Sequence, residues 1–303
     1  MFDTWSKQSK VFAIGDIHGR WQTIRDFYLT NKIQEKIKRD EKNNNILILL
    51  GDAGLNYFFN HRDEAVKKKL ETFPFTYFVI RGNHEERPSI CAAKNPELWH
   101  TEVFWGNTVY VENQFPHIKY ALDEVALYEI PYIVDYCDGT PENDYNDEGE
   151  PIWKTYKTLV IPGAYSVDKY HRLQNGWSWF EGEQLTAAEM ERGLDLIHSL
   201  GNEVDLVLSH TCPILFEPTD LFLPFVDQNM VDKTMERYLG QIEYQLQYKL
   251  MLWGHFHKYR EYPRNIGIPS YSNPRQLMLY NDYVINIFDV LTEKNLVKPL
   301  SIH

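Results

Sequence analysis

The chain has 303 residues, 43% of them hydrophobic, and a formal net charge of −12 with no Lys/Arg-rich stripe. Such a length and apolar share can bury a sizeable core in one large α/β domain spanning 1–303, while the acidity argues against holding long nucleic acid through counterion release. No run approaches the roughly 20 apolar residues that cross a bilayer, and Cys91, Cys137 and Cys212, odd in number and never in a Cys-x-x-Cys pair, read as reduced, part-buried thiols.

Met1 to Lys10 carries no apolar stretch of signal-peptide length, so a cytoplasmic location is expected, in the cell of origin or in a host cell if the gene is viral. Val11 to Ile14 is a strand-like run ending in Gly15-Asp16-Ile17-His18-Gly19. Trp21, Ile24, Phe27 and Tyr28 then fall at helical spacing and predict a helix over Trp21 to Lys32. Ile46 to Leu50 is a second strand-like run, ending in Gly51-Asp52, and Asp63 to Leu70 follows as a short helix. Tyr77 to Ile80 leads into Gly82-Asn83-His84-Glu85. Strand-helix-strand units of this kind build largely parallel, helix-covered sheets.

Pro131 to Pro151 breaks the rhythm. Asp135, Asp138, Glu142, Asp144, Asp147, Glu148 and Glu150 with few apolar residues predict a solvated surface insertion, or in a sharper reading a mobile lid. Thr158 to Ile161 is strand-like and precedes Gly163 to Phe180, where Tyr165, Lys169, Tyr170, Arg172, Trp177 and Trp179 mix cations with aromatics. A surface of that composition could hold a phosphate and stack a nucleobase, or simply serve packing. Thr186 with Glu189 is a capping-box signal for a helix from Thr186 to Leu200. A strand over Asp205 to Ser209 leads to His210, and a helix runs from Asp232 to about Gln247. Leu250 to Trp253 ends in Gly254-His255-Phe256-His257, and Tyr283 to Phe288 reads as an edge or final strand.

The clusters at the strand ends offer oxygen and imidazole donors without thiolate. That mixture suits manganese, iron or zinc and excludes a sulfur-rich zinc site. Asp16 and His18 lie two apart, as do His255 and His257, so each pair can point the same way where a strand runs into its loop. With Asp52, Asn83 and His210 they make seven candidate ligands, too many for one tetrahedral catalytic ion. They fit two ions sharing one bridging carboxylate.

The order Asp-x-His, Gly-Asp, Gly-Asn-His-Glu, a lone His and Gly-His-x-His, over residues 15–257, resembles the calcineurin-like metallophosphoesterase superfamily. The resemblance implies two facing, mainly parallel or mixed sheets flanked by helices, with two divalent ions at the strand ends. Asp16, His18 and His257 would hold the first ion; Asn83, His210 and His255 the second; Asp52 would bridge them. His84 would stabilise or protonate the leaving-group oxygen while hydroxide held between the ions attacks phosphorus in line.

Arg20 beside the first helix and Arg87 after Glu86 are candidate phosphate contacts, with Arg81 a weaker one. Each could instead pair with Glu85 or Glu86. The Gly-Asn-His-Glu string is similar to the serine/threonine phosphatase branch. That branch follows its second motif with Val-Asp-Arg-Gly, whereas Asp52 is followed by Ala53-Gly54-Leu55-Asn56-Tyr57. The expected activity is therefore hydrolysis of a phosphomonoester of a small or nucleotide-like substrate. The alternatives are a phosphodiesterase, a protein phosphatase or, outside enzymes, a metal-lost binding scaffold. The complete ligand set with His84 argues against a scaffold, and the sequence sets no oligomeric state.

Overall fold

The computed structural model describes residues 10–30, 33, 45–133, 153–262, 275–291 and 300–302. Strands β1 (Lys10–Ile14), β2 (Asn45–Leu50) and β3 (Thr76–Ile80) pair in parallel, Val11 opposite Ile46 and Leu47 opposite Tyr77. Every residue of β2 and β3 is buried, because both faces of the sheet are covered. A doubly covered strand reads as a continuous apolar run rather than an alternating one. The hairpin β4 (Trp99–Phe104) and β5 (Asn107–Glu112) turns at Trp105-Gly106, both at positive φ, and β6 (Ile118–Tyr120) links it to β3.

The second sheet holds β7 (Ala126–Ile133), β8 (Trp153–Ile161), β9 (Leu206–Ser209), β10 (Leu250–Trp253), β11 (Arg260–Tyr262) and β12 (Arg275–Met278), in the order β11-β12-β10-β9-β8-β7. Its β8-β9-β10-β12 centre is parallel and its outer pairs antiparallel. On the first sheet, β13 (Tyr283–Asn286) and β14 (Leu300–Ser301) extend β1 antiparallel.

The described helices are α1 (Trp21–Thr30), α2 (His61–Leu70), α3 (Pro88–Lys94), α4 (Lys169–Gln174), α5 (Ala187–Ser199), α6 (Thr234–Gln245) and α7 (Ile287–Leu291). Alternate strand residues sort the chain into layers. Val11, Ala13, Ile48 and Ile80 meet Ile130, Val160, Leu208 and Leu252 between the sheets. Phe12, Ile14, Leu49 and Val79 face away, onto Ile24 and Phe27 of α1. Leu159, Val207, Met251 and Trp253 cover Ile197 of α5 and Met235, Leu239 and Ile242 of α6. The result is helix, sheet, sheet, helix, the α/β class expected.

Several local signals are realised. The Thr186 hydroxyl accepts from the Glu189 N–H while the Glu189 carboxylate accepts from the Thr186 N–H, completing the capping box. Two expectations need correction. Pro131–Ile133 are not loop but the end of β7, paired with Thr155 to Trp153 of β8; residues 134–151 of the expected insertion lie outside the described residues. The run Tyr283 to Phe288 is not an edge strand: β13 stops at Asn286, is covered by β14, and gives way to α7, whose buried Ile287 joins the inter-sheet core.

Candidate metal centre

All the strand-end motifs converge at one end of the two sheets, following the parallel strands β1, β2, β3, β9 and β10. Loops after the carboxyl ends of parallel strands are the usual place for a site in open α/β sheets. The site residues themselves stitch the sheets together. The His255 N–H donates to both Asp16 carboxylate oxygens, at 3.1 and 2.8 Å, and His210 Nδ1 donates to the Leu50 carbonyl at 2.8 Å.

The backbone bears a conformational cost to present these groups. His18, Asp52, His255 and His257 sit at φ 45°, 46°, 70° and 53°, a region that costs a non-glycine residue on the order of 1–3 kcal/mol where it is strained. The neighbouring glycines are dictated by close approach. A Cβ on Gly82 would lie 2.1 Å from Asp52 Oδ1, and one on Gly254 would lie 2.3 Å from Asp16 Oδ2. Gly254→Ala should therefore displace the Asp16 carboxylate and weaken metal affinity by at least the ~10–100-fold typical of a lost supporting partner. A metal titration checks it, and unchanged affinity would contradict the packing argument.

Asp16, His18 and His257 each offer a ligand atom within 4.8 Å of the others, as do Asp16, Asp52 and His210. His18 Nε2 lies 2.9 Å from His257 Nε2. On the other side Asn83 Oδ1 lies 2.8 Å from His210 Nε2 and 3.1 Å from His255 Nδ1. Because His210 Nδ1 carries the proton given to Leu50, its Nε2 presents a lone pair. Asn83 is oriented by its Nδ2, which donates to Ser166 Oγ at 2.9 Å, so Oδ1 presents lone pairs too. Lone pairs facing one another at this distance repel unless a cation satisfies them, so the donor set fits a divalent ion.

Protonation states agree. Burial holds His210 and His255 below the usual histidine range and takes His18 down to about 4, leaving neutral imidazoles near pH 7. Burial, helped by the Asp52 charge, pushes Asp16 well up. Burial also opposes ionisation of Asp52, but the positive charge that the rings of His84, His210 and His18 carry in acid, with the His84 N–H that Asp52 accepts, outweighs it and holds that carboxyl well below the ordinary range. Two buried carboxyls with opposed tendencies are what a shared cation would reconcile.

His84 donates its N–H to Asp52 Oδ1 at 2.9 Å, and its Nε2 lies 3.8 Å from Asp52 Oδ2. Arg20 is exposed and donates to the Tyr280 hydroxyl at 2.8 Å, whose ring stacks on His257 with centroids 5.0 Å apart. It therefore stands at the rim beside the first ligand group.

Arg87, expected to contact phosphate, has its guanidinium engaged within the fold. Its guanidinium is bound to the Glu189 carboxylate and to the carbonyls of Gly182 and Gln184, tying α3 to the start of α5. Arg81 is buried and donates to the Glu183 carbonyl at 2.8 Å, rather than pairing with Glu85, which accepts from the Leu55 N–H.

One cation of the centre lies outside the motifs. Arg172 of α4 brings Nη2 to 3.1 Å from His84 Nε2. Its only sequence signal was the mixture of cations and aromatics in Gly163 to Phe180.

Two clefts share Asp52 and His84. One of about 340 Å³ adds His18, Tyr57, Phe58, Arg62 and Arg172. The other, of about 280 Å³, adds Asn83, His255, His257, Phe222 and Phe256.

Residues 9–259 match the family model described as Calcineurin-like phosphoesterase. The chain belongs to that family. Calcineurin-like phosphoesterases are phosphoric ester hydrolases that typically bind two divalent metals, so this chain is an enzyme of metal-dependent phosphoester hydrolysis acting on a phosphorylated substrate. No curated protein matches the sequence. Among solved structures, the crystal structure of TT1561 of Thermus thermophilus matches at 9% identity and a TM-score of 0.49, covering 98% of this chain and 100% of that one. Among the described residues of this calcineurin-like phosphoesterase, no helix is long and apolar enough to cross a membrane.

Proposed function

We propose that the chain is a phosphomonoesterase of small or nucleotide-like substrates, with Asp16, His18 and His257 holding one divalent ion, Asn83, His210 and His255 a second, and Asp52 between them. The observation that carries this reading is the approach of two lone-pair atoms, Asn83 Oδ1 and His210 Nε2, to 2.8 Å with no proton to share, and with His255 Nδ1 3.1 Å from the same oxygen. Two such ions supply positive charge for the phosphoryl oxygens and make water acidic enough to serve as nucleophile near neutral pH.

The chain's own residues do the rest. Asp52 anchors the His84 backbone, which sets the imidazole where both clefts meet and where a leaving oxygen would depart. At about 280 and 340 Å³ the clefts suit a small molecule. Tyr57 and Phe58 in one, and Phe222 and Phe256 in the other, offer ring faces to a base. One observation favours phosphodiester hydrolysis as a second reading: clefts on both sides of His84 leave room for two ester arms. A reducing, cytoplasmic compartment suits Cys91 and Cys212, both buried free thiols.

Chelation should abolish hydrolysis of an activated aryl phosphate, and manganese should restore it at least as well as magnesium. Four imidazole ligands fit manganese better than an ion that demands oxygen. Full activity with magnesium alone would count against the ligand assignment. Assaying the manganese-loaded protein against phosphomonoesters, phosphodiesters and phosphopeptides decides among the substrate classes. Preferential turnover of diesters or phosphopeptides would replace the monoester reading.

A further inference from the structure

Arg172 enters the centre from α4, far in sequence from every strand-end motif, and its side chain is only 11% exposed. Its guanidinium is held on two edges. Nε donates to both carboxylate oxygens of Asp168 at 2.8 Å, and Nη1 donates to the Tyr57 hydroxyl at 2.8 Å. Tyr57 is in turn fixed by Asp63, whose Oδ2 accepts the N–H groups of Tyr57, Phe58 and Phe59 at 3.0, 2.8 and 2.8 Å. The third edge, Nη2, points into the 340 Å³ cleft lined by His18, Asp52 and His84, where its partner is His84 Nε2.

That last contact is the informative one. A guanidinium has no acceptor, so Nη2 can only donate here, and it faces a ring nitrogen that Asn83 Nδ2 also approaches, at 3.2 Å, whereas its Nε edge is matched to the two oxygens of a carboxylate. A phosphoryl oxygen in the same cleft would accept a stronger, charge-assisted bond from the same donor. Arg20 is engaged on Tyr280 at the rim and Arg87 on Glu189, so neither competes for this place. The region after Asp52, Ala53 to Tyr57, carries no cation of its own, yet its Tyr57 hydroxyl is what steers Arg172.

We propose that Arg172 is the residue that captures the phosphoryl group, Nη2 exchanging His84 Nε2 for a non-bridging phosphoryl oxygen, with Tyr57 and Asp168 as positioning residues. The proposal rests on the phosphoesterase reading above and adds the anion receptor to it.

The test uses the full-length, manganese-loaded protein and inorganic phosphate as probe, with binding followed by calorimetry and nitrophenyl phosphate hydrolysis measured alongside. Arg172→Met should weaken phosphate binding and raise KM by about 10–100-fold, the size of a lost charge-assisted hydrogen bond. Metal content should be unchanged. Arg172→Lys should recover only part of the affinity, because an ammonium lacks the planar fork. Tyr57→Phe, which keeps the charge, should lose less than Arg172→Met. Should Arg172→Met fail to fold, Arg172→Lys carries the test, and its phosphate affinity must still fall. Phosphate bound as tightly by folded Arg172→Met, or Arg172→Lys, as by wild type overturns the proposal. If the wild type holds its metals but hydrolyses no phosphoester, the phosphoesterase reading falls instead, a result separate from the phosphate-affinity comparison.

Discussion

Asp52→Asn is expected to reduce hydrolysis to background and to compromise both ions rather than one. The Asp52 side chain is 2% exposed and belongs to the candidate ligand trio with Asp16 and His210, lies 3.6 Å from His210 Nε2, and accepts the His84 N–H. An amide of the same shape preserves the packing. It removes the negative charge and turns either a neutral oxygen or an N–H toward groups that need an anion. Metal affinity should fall by more than the ~10–100-fold that a lost supporting partner costs, because here the ligand itself is altered. A ligand that binds only the native state raises stability in step with its affinity, so the gain in Tm on adding manganese should shrink in the variant. Metal analysis after dialysis, melting with and without manganese, and hydrolysis rates measure all three. Two tightly held ions with wild-type turnover would remove Asp52 from the bridging position.

His84→Ala should behave differently. Its imidazole lies near Asp52 but outside both ligand groups, so metal content should be unchanged while kcat falls. The loss should depend on the leaving group. An alkyl phosphate expels a strongly basic alkoxide and should lose most of the roughly 10²–10⁴-fold that a positioned acid supplies. A nitrophenyl ester needs little protonation and should lose much less. His210→Ala, by contrast, should lose metal and activity on every substrate. Equal losses on both ester classes with intact metal content would mean that His84 only packs beneath the site.

What could be read from the sequence follows from the range over which each signal acts. The strands β1, β2, β3, β9 and β10 announce themselves because burial on both faces demands apolar residues without interruption, and the candidate ligands follow within a few residues of each strand end. The hairpin β4-β5 gives no such run. Its His100, Thr101 and Val103 face solvent, and its turn is Trp105-Gly106 rather than an Asn-Gly or Asp-Gly pair. The strand β12 begins with Arg275 and Gln276, both buried. Arg275 pairs with Glu261 at 2.7 Å, and Gln276 bonds Tyr248 and Glu243, so polar residues occupy a covered strand through partners distant in sequence.

The arginines divide in the same way. Placing Arg20 near the site needs only its position beside the first motif. The engagement of Arg87 by Glu189 and the approach of Arg172 to His84 depend on how α3, α4 and α5 dock, across 102 and 88 residues respectively. No local pattern encodes those distances.

If seven side chains from five strand ends build one two-ion centre, anomalous diffraction at the manganese edge, from crystals of the manganese-loaded protein, will locate both ions. Two peaks about 3.5–4 Å apart are expected, one beside Asp16, His18 and His257, the other beside Asn83, His210 and His255, with Asp52 touching both. A single peak, or a pair held by other residues, would contradict the two-ion centre.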